Sequence, residues 1–447
     1  MKGARQAFNM EALSWVKLDL TEEEKEILRG KRGRVLQKVM RTVVLYGQAC
    51  GAKKLVPIEG PAHFVISMAF TGLGPRMEMV DELVGAGLKT RDPFTVDPRA
   101  VDLDNLRCSP RQESVFREWG KNQARYERQL KKLGLRDDNA FTCTCYLPEV
   151  GNRPHKGVIL AWSESSAVVF ANSVLGARTN RNGAILDLLC NLAGRVPLDG
   201  LLTDEGRRAG WRVEIATSRL PDPQLLGGAI GKKVQEGVPY IIGLDRFLGP
   251  GLSEKTEDYL KDMGAASAAL GACGLYHAEN ITPEALDQKR KLLIKDYRTY
   301  VIDDRELKET RTSYPVLWRD KAAKPKRCLI GCPHLSLGQL YWWVMKIHEV
   351  RSAYGRRKAD IEVVLFAAPD VIEKFKKDKQ SSDLAGASGV ELSAICIESF
   401  MKNPFVAREP VITNSNKLRA YTTARFLLEQ EILDVLAGGE IREGGIG

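Results

Sequence analysis

WRVEIATSRLPDPQLLGGAIGKKVQEGVPYIIGL, residues 211–244, decides how this chain folds. It opens with a β-type run, turns at Pro221-Asp222-Pro223, continues through a helical stretch to Gly237 and closes on a second β-type run. The same order recurs downstream as SEKTEDYLKDMG, ACGLYHA, TPEALDQKRKLL and YRTYVID. It resumes as CLIGC, a helix through Leu340 to Val350, IEVVLFAA, DVIEKFKK, VELSAIC and PVITN, with a last helix predicted near Tyr421 to Leu436. Strand and helix alternating in this way predict an α/β fold of mainly parallel sheets flanked by helices, with ligands at the carboxyl ends of the strands.

Upstream the pattern is more helical. Thr21 and Glu24 form a capping-box pattern ahead of EEKEILRG and RGRVLQKVMRTVVLYGQACG. A short strand, KKLVPIEG, and a helix near Met77 to Gly85 follow. Ser109, Pro110 and Gln112 then predict the start of one long amphipathic helix ending near Gly134. Residues 1–20 read as an extension and 21–447 as the catalytic region, with RDKAAKPKR at 319–327 the best internal boundary.

With 447 residues, 44% hydrophobic and 28% charged, the chain is long enough to bury a large core. The net charge of +10 is spread along the sequence and interleaved with acids. That distribution suits a small anionic substrate better than a nucleic acid. Nine cysteines at irregular spacing do not form the pattern of a secreted disulfide scaffold. The N-terminus lacks the pattern of a secretory leader, and no apolar segment is long enough to span a bilayer. The expected setting is cytoplasmic, with reduced thiols and no membrane partner.

The densest chemistry lies in FTCTCYLPEVGNRPHKGVILAWSESSAVVFANSVLGARTNRN, residues 141–182. GGAIGKK at 227–233 resembles a phosphate loop but lacks its first glycine and its final Ser or Thr. Cys332 is expected at the end of a strand beside a helix N-terminus, where the dipole lowers a thiol pKa. Cys143 precedes loop residues, and Cys396 ends a β-rich run, so three thiols at three strand ends can converge. A buried, inert thiol is the ordinary fate of any one of them. Cys143, Cys145, Cys328 and Cys332 also allow a zinc site, although their spacing is not that of a zinc knuckle. That alternative makes the protein a zinc-stabilised, non-enzymatic α/β scaffold for binding a partner. The serines Ser163, Ser165 and Ser166 are either N-caps of the next helix or functional groups. Arg178, Asn180 and Arg181 suit a carboxylate or phosphate, although arginines also follow helix C-termini for dipole reasons. His63, His277 and His334 fall in loops or at strand ends.

TCTCYLPEVGNRP, WSESSAVVFANSVLGARTNRNG, LYHAENITPEA, IGCPHLS and ITNS, in this order, resemble the catalytic large subunit of the aconitase X family. The resemblance extends from about Thr21 to about Leu436. It implies aconitase-like stacked α/β/α domains, lacking the small swivelling β domain, which would be supplied by a separate small subunit. It also implies a hydro-lyase with an iron–sulfur cluster held by Cys143, Cys332 and Cys396. Cys145 departs from the family's usual proline at that position. Glu164, Ser165, Ser166 and His334 are the expected catalytic groups. Arg178, Asn180 and Arg181, with His63, Ser67 and Asn172, are the expected contacts to a small anionic hydroxy acid. Two dehydrations are associated with the family, of mevalonate 5-phosphate and of cis-3-hydroxy-L-proline. The two-chain organisation and DPFTVDPRAVDLDN lean towards the first.

Overall fold

The computed structural model describes residues 15–68, 74–353 and 361–441. Four strands, in the order His277–Ala278, Pro239–Ile242, Ala209–Ile215 and Leu293–Ile302, form one parallel sheet. Five more, in the order Val390–Ser393, Glu362–Ala367, Arg327–Leu335, Val411–Thr413 and Arg425–Phe426, form a second. The expected α/β architecture is present. Among the described residues, antiparallel pairing is confined to the ribbon of Leu55–Pro57 with Arg195–Pro197.

RCLIGCPHL, at Arg327–Leu335, is buried along almost its whole length. A central parallel strand covered on both faces needs that near-continuous burial. Val213, Ile241 and Ile302 of the first sheet share one apolar cluster with Ile330, Val363 and Leu365 of the second. Leu260 and Met263 of the helix Glu254–Gly271 belong to the same cluster. A second core, around Val43, Phe64 and Phe141, serves the N-terminal region.

The glycines of GGAIGKK have a packing role. Helix Pro223–Val234 lies so close to helix Glu254–Gly271 that a Cβ at Gly227 would strike the Met263 carbonyl, and one at Gly271 that of Gly231. They let two backbones approach and form no phosphate loop.

Both predicted capping boxes are present, at Thr21 with Glu24 and at Ser109 with Gln112. The long helix to Gly134 is instead two, Pro110–Gly120 and Gln123–Leu133. The break lets Phe116 join a cluster beside the five-stranded sheet while Tyr126 and Leu130 fill the N-terminal core. The final helix is likewise interrupted. Helix Asn416–Tyr421 is followed by the strand Arg425–Phe426 and then by helix Glu429–Leu436, because pairing with Val411–Thr413 overrides local helix preference. Of the expected extension, residues 1–14 lie outside the described residues, whereas Leu18 is buried in the N-terminal core and Asp19 bridges to Lys54. Among the described residues, no helix is long and apolar enough to cross a membrane.

Candidate active site

Three segments distant in sequence bring Cys143, Cys332 and Cys396 to one cavity of about 360 Å³. Cys143 follows the Phe141 bridge to Val96, Cys332 lies within the central strand, and Cys396 precedes the short helix Ile397–Met401. All three are half-buried and unpaired. Among the described residues, no group of three or more His, Cys, Asp or Glu side chains is arranged to hold a single metal ion. Cys145 and Cys328 are fully buried in the apolar core and do not line the cavity, so the four-thiol zinc site is not assembled.

The expected dipole effect on Cys332 is also overturned. The strand runs through Pro333 to Leu335 and the helix that follows in sequence starts only at Leu337, so it is not the helix beside the thiol; Ser415, the N-cap of helix Asn416–Tyr421, lies against Cys332. Burial dominates instead and pushes the Cys332 thiol up to about 12, with Lys417 opposing it. Burial raises Cys143 as well.

His334 ties the three cysteine segments together. Its backbone N–H donates to Cys143 Sγ at 3.3 Å. Its Nδ1 lies 3.0 Å from Thr142 Oγ1, one residue before Cys143, and its Nε2 lies 3.1 Å from the carbonyl of Ile395, one residue before Cys396. A carbonyl only accepts, so Nε2 carries the proton and Nδ1 accepts from the threonine hydroxyl. Burial lowers the ring to about 4, which keeps this neutral tautomer in place. Both nitrogens are engaged, and the residue also lines the cavity.

Glu164 caps the helix Ser165–Ser173, where one of the serines was expected as the cap. Its Oε2 accepts from the Ala167 N–H at 2.6 Å and the Ser166 hydroxyl at 2.7 Å. Oε1 accepts from Lys417 Nζ at 3.0 Å, and Lys417 also donates to Ser165 Oγ at 3.3 Å. Burial disfavours the Glu164 charge, but Lys417, His63 and these hydrogen bonds together hold its pKa below the ordinary value. Burial likewise opposes the ammonium of Lys417, and Glu164, Cys332 and Cys143 outweigh it.

Lys417 was not legible as a site residue in the sequence, where ITNSNK reads as a loop. The visible signal is Ser415, which caps helix Asn416–Tyr421 and so fixes where Lys417 projects. Asp97 is a second such residue. It lines the cavity beside Ser67, accepts the Ser67 N–H at 2.8 Å, and is pushed by burial up to about 7.

The remaining expected residues divide. Ser67 lines the cavity, with its hydroxyl donating to the Pro98 carbonyl at 2.9 Å. His63 is fully buried and is not part of the cavity wall; its Nδ1 lies 2.9 Å from Thr95 Oγ1, and burial lowers it to about 4. Asn172 is a buried brace, donating to the carbonyls of Thr179 and Gly274 at 2.8 Å each. Arg178 is spent on Asp204 and the Leu202 carbonyl, and Asn180 on Asp199 and Leu201. Arg181 lines a neighbouring cavity.

Family models for the aconitase X first and second domains match residues 17–205 and 209–312. The phosphomevalonate dehydratase large subunit of Thermococcus kodakarensis is 35% identical over 350 residues, spanning 78% of this chain and 80% of that one. Its counterpart in Methanosarcina mazei is 30% identical over 413 residues, spanning 90% and 91%. The cis-3-hydroxy-L-proline dehydratase of Pseudomonas aeruginosa is 28% identical over 408 residues, or 89% of this chain and 65% of that protein. The crystal structure of Thermococcus kodakaraensis aconitase X in its holo-form superimposes with a TM-score of 0.77 at 29% identity, covering 94% of this chain and all of that one. Matched over most of its length by family models, dehydratase relatives and a solved fold, the chain belongs to the aconitase X family.

Proposed function

We propose that this chain is the catalytic large subunit of an iron–sulfur-dependent dehydratase that removes water from a phosphorylated hydroxy acid of the mevalonate 5-phosphate kind. The observation that carries this reading is the meeting of Cys143, Cys332 and Cys396 at one cavity beside the buried Glu164–Lys417 pair. The donor set fits such a cluster: three thiols from three braced segments surround an opening, with a cation beside two of them. When bound, the cluster supplies an iron without a protein ligand, able to act as a Lewis acid on a hydroxyl and a carboxylate.

The chain's own residues supply the rest. Dehydration breaks a C–H and a C–O bond on adjacent carbons, so a base takes the proton and the hydroxide leaves separately. Ser165 is the half-buried member of the serine pair, and its hydroxyl sits between Lys417 and Glu164. Ser166 donates inward and fixes the carboxylate of Glu164. Asp97, whose pKa is placed by burial near that of a neutral-pH base, offers a second proton acceptor on the same wall. His334 acts by holding the three ligand segments in place.

A separate small, swivelling subunit completes this site in our reading. The large-subunit names of the relatives support that, as does the smaller share of the cis-3-hydroxy-L-proline dehydratase that this chain spans. Nine unpaired cysteines suit a reducing, cytoplasmic setting. We keep residues 21–447 as one catalytic region with a boundary near 319–327.

Anaerobic purification followed by iron, sulfide and zinc analysis tests the cofactor. Iron with sulfide is expected, and Cys143→Ser, Cys332→Ser or Cys396→Ser should each abolish it while Cys145→Ser and Cys328→Ser retain it. Adding the small subunit should permit dehydration of mevalonate 5-phosphate. Zinc without sulfide, or full iron content in Cys396→Ser, sinks the assignment.

A further inference from the structure

The four-stranded sheet ends on an open edge. Its outermost strand, Leu293–Ile302, is ten residues long, holds no proline and pairs only with Ala209–Ile215 among the described residues. From Arg298 to Ile302 that pairing is regular. The Ile302 carbonyl accepts the Ala216 N–H at 2.8 Å, so it points into the sheet. Backbone groups of successive residues alternate sides, which turns those of Arg298 and Tyr300 inward as well and leaves those of Tyr297, Thr299 and Val301 facing outward with no strand to meet. Edges of this length are ordinarily blunted by proline, cover or charge. This one presents two large apolar side chains, Tyr297 at 37% exposure and Val301 at 47%.

The side chains set the register that a partner strand needs. Tyr300 and Ile302 are buried in the large core and Arg298 lies over the Trp211 ring at 5.4 Å, so Tyr297, Thr299 and Val301 share the solvent side. These three are spaced evenly about Thr299. An antiparallel copy of the same segment, turned about a two-fold axis through Thr299, sets Thr299 against Thr299 and each Tyr297 against the other copy's Val301, an aromatic and β-branched pair. Because their N–H and C=O groups face outward, each of these pairs exchanges both hydrogen bonds.

Charge favours the same arrangement. Lys289, Lys291 and Lys295 stand at the start of the strand, exposed and in no ion pair with a described residue. Asp303 and Asp304 follow its end, bonded to backbone N–H groups that leave their charge in place. Asp296 and Lys308 are the unpaired charges of opposite sign, and Arg305 is spent on Glu309. An antiparallel copy brings the basic end of one strand to the acidic end of the other, whereas a parallel copy faces like with like.

We infer that this edge pairs with the same edge of a second copy of the chain, joining the two four-stranded sheets into one continuous sheet through an isologous contact centred on Thr299. None of these residues lines the thiol cavity, and the pairing is independent of the dehydratase reading.

The test is the mass of the full chain, assembled with its small subunit, by sedimentation velocity. Two copies of this chain per particle are expected. Thr299→Pro removes the outward N–H at the axis, and Val301→Lys places a lysine beside the other copy's Tyr297. Each should reduce the particle to one copy with its circular dichroism unchanged, and Val301→Lys decides the matter if the proline disturbs the fold. Cα atoms of a hydrogen-bonded antiparallel pair lie about 5.5 Å apart, within disulfide range. Thr299→Cys should therefore give a covalent pair of large subunits on mild oxidation that the wild type does not give. One copy per particle in the wild type, two copies retained in a folded Val301→Lys, or no covalent pair from Thr299→Cys overturns the inference. Release of the small subunit by Val301→Lys overturns it too, by assigning the edge to that subunit.

Discussion

Two buried ion pairs in this protein have opposite characters. Arg207 and Glu284 are closed on themselves: the guanidinium makes three contacts to the carboxylate at 2.8–3.0 Å, and its other donors reach Asn172 and the Leu201 carbonyl. Lys417 and Glu164 are equally buried in chain terms but lie on a cavity wall, and the ammonium makes only two hydrogen bonds to described residues, to Glu164 and Ser165. An ammonium has three donors. The first pair spends its whole hydrogen-bonding capacity on structure, and the second keeps a donor for something that enters the cavity. Burial of charge is therefore a poor guide to function here, and unspent capacity at a cavity wall is a better one.

The largest expected stability effect belongs to the closed pair. Arg207→Met should cost about 3–5 kcal/mol, because it leaves Glu284 buried without its cation. Chemical denaturation reads this, and the activity per folded molecule should hold. An activity loss larger than the loss of folded protein would erase the distinction between the pairs.

Lys417→Met should do the reverse. Glu164 keeps Ser166 and the Ala167 N–H, and water in the cavity can reach it, so the fold should survive with its iron content intact. Turnover should fall about 100-fold or more, the scale of a lost proton-handling or orienting group. Full activity in this variant would make Lys417 a second structural cation.

A third buried charge sharpens the comparison by having no cation at all. Asp187 is fully buried and held by Asn182 and the Gly183 N–H. Burial pushes its pKa up to about 7, so between its ordinary value of 3.8 and that point the folded state binds a proton that the unfolded state has released. Stability from this group is therefore greatest at low pH and is lost as pH rises through about 7. From pH 6 to 8 the loss should be about 1.4 kcal/mol. Asp187→Asn should remove that slope, measured as the difference between the two proteins' denaturation midpoints across the range, and an unchanged slope would show that Asp187 is already ionised.

Much of the site was legible before folding was considered. The TCTCY, WSESS and GCPH segments each contribute to the thiol cavity, and Ser67 lies on its wall. Legibility failed where a side chain's fate depends on a distant partner. Arg178, Asn180 and Arg181 occupy one polar tail, yet Asp204 and Asp199 claim the first two and leave the third. Asn172 reads as a helix-face polar group but closes hydrogen bonds to Thr179 and Gly274. Lys417 and Asp97 were not singled out as site residues, since a lysine in a polar loop and an aspartate before a proline are ordinary until burial makes them costly.

The alternation of β-type and helical runs from Trp211 onward determined the α/β class by itself, because side-chain periodicity is a local property that each segment carries whatever surrounds it. The capping boxes at Thr21 and Ser109 were settled in the same way, by residues three positions apart. Only the tertiary structure decided that the helix near Gly134 breaks in two, that a strand interrupts the C-terminal helix, and that His334 hydrogen-bonds to the segments carrying Cys143 and Cys396. Each of those outcomes depends on which core or carbonyl lies within reach once the sheets have formed, and no local pattern records a partner 61 or 192 residues away.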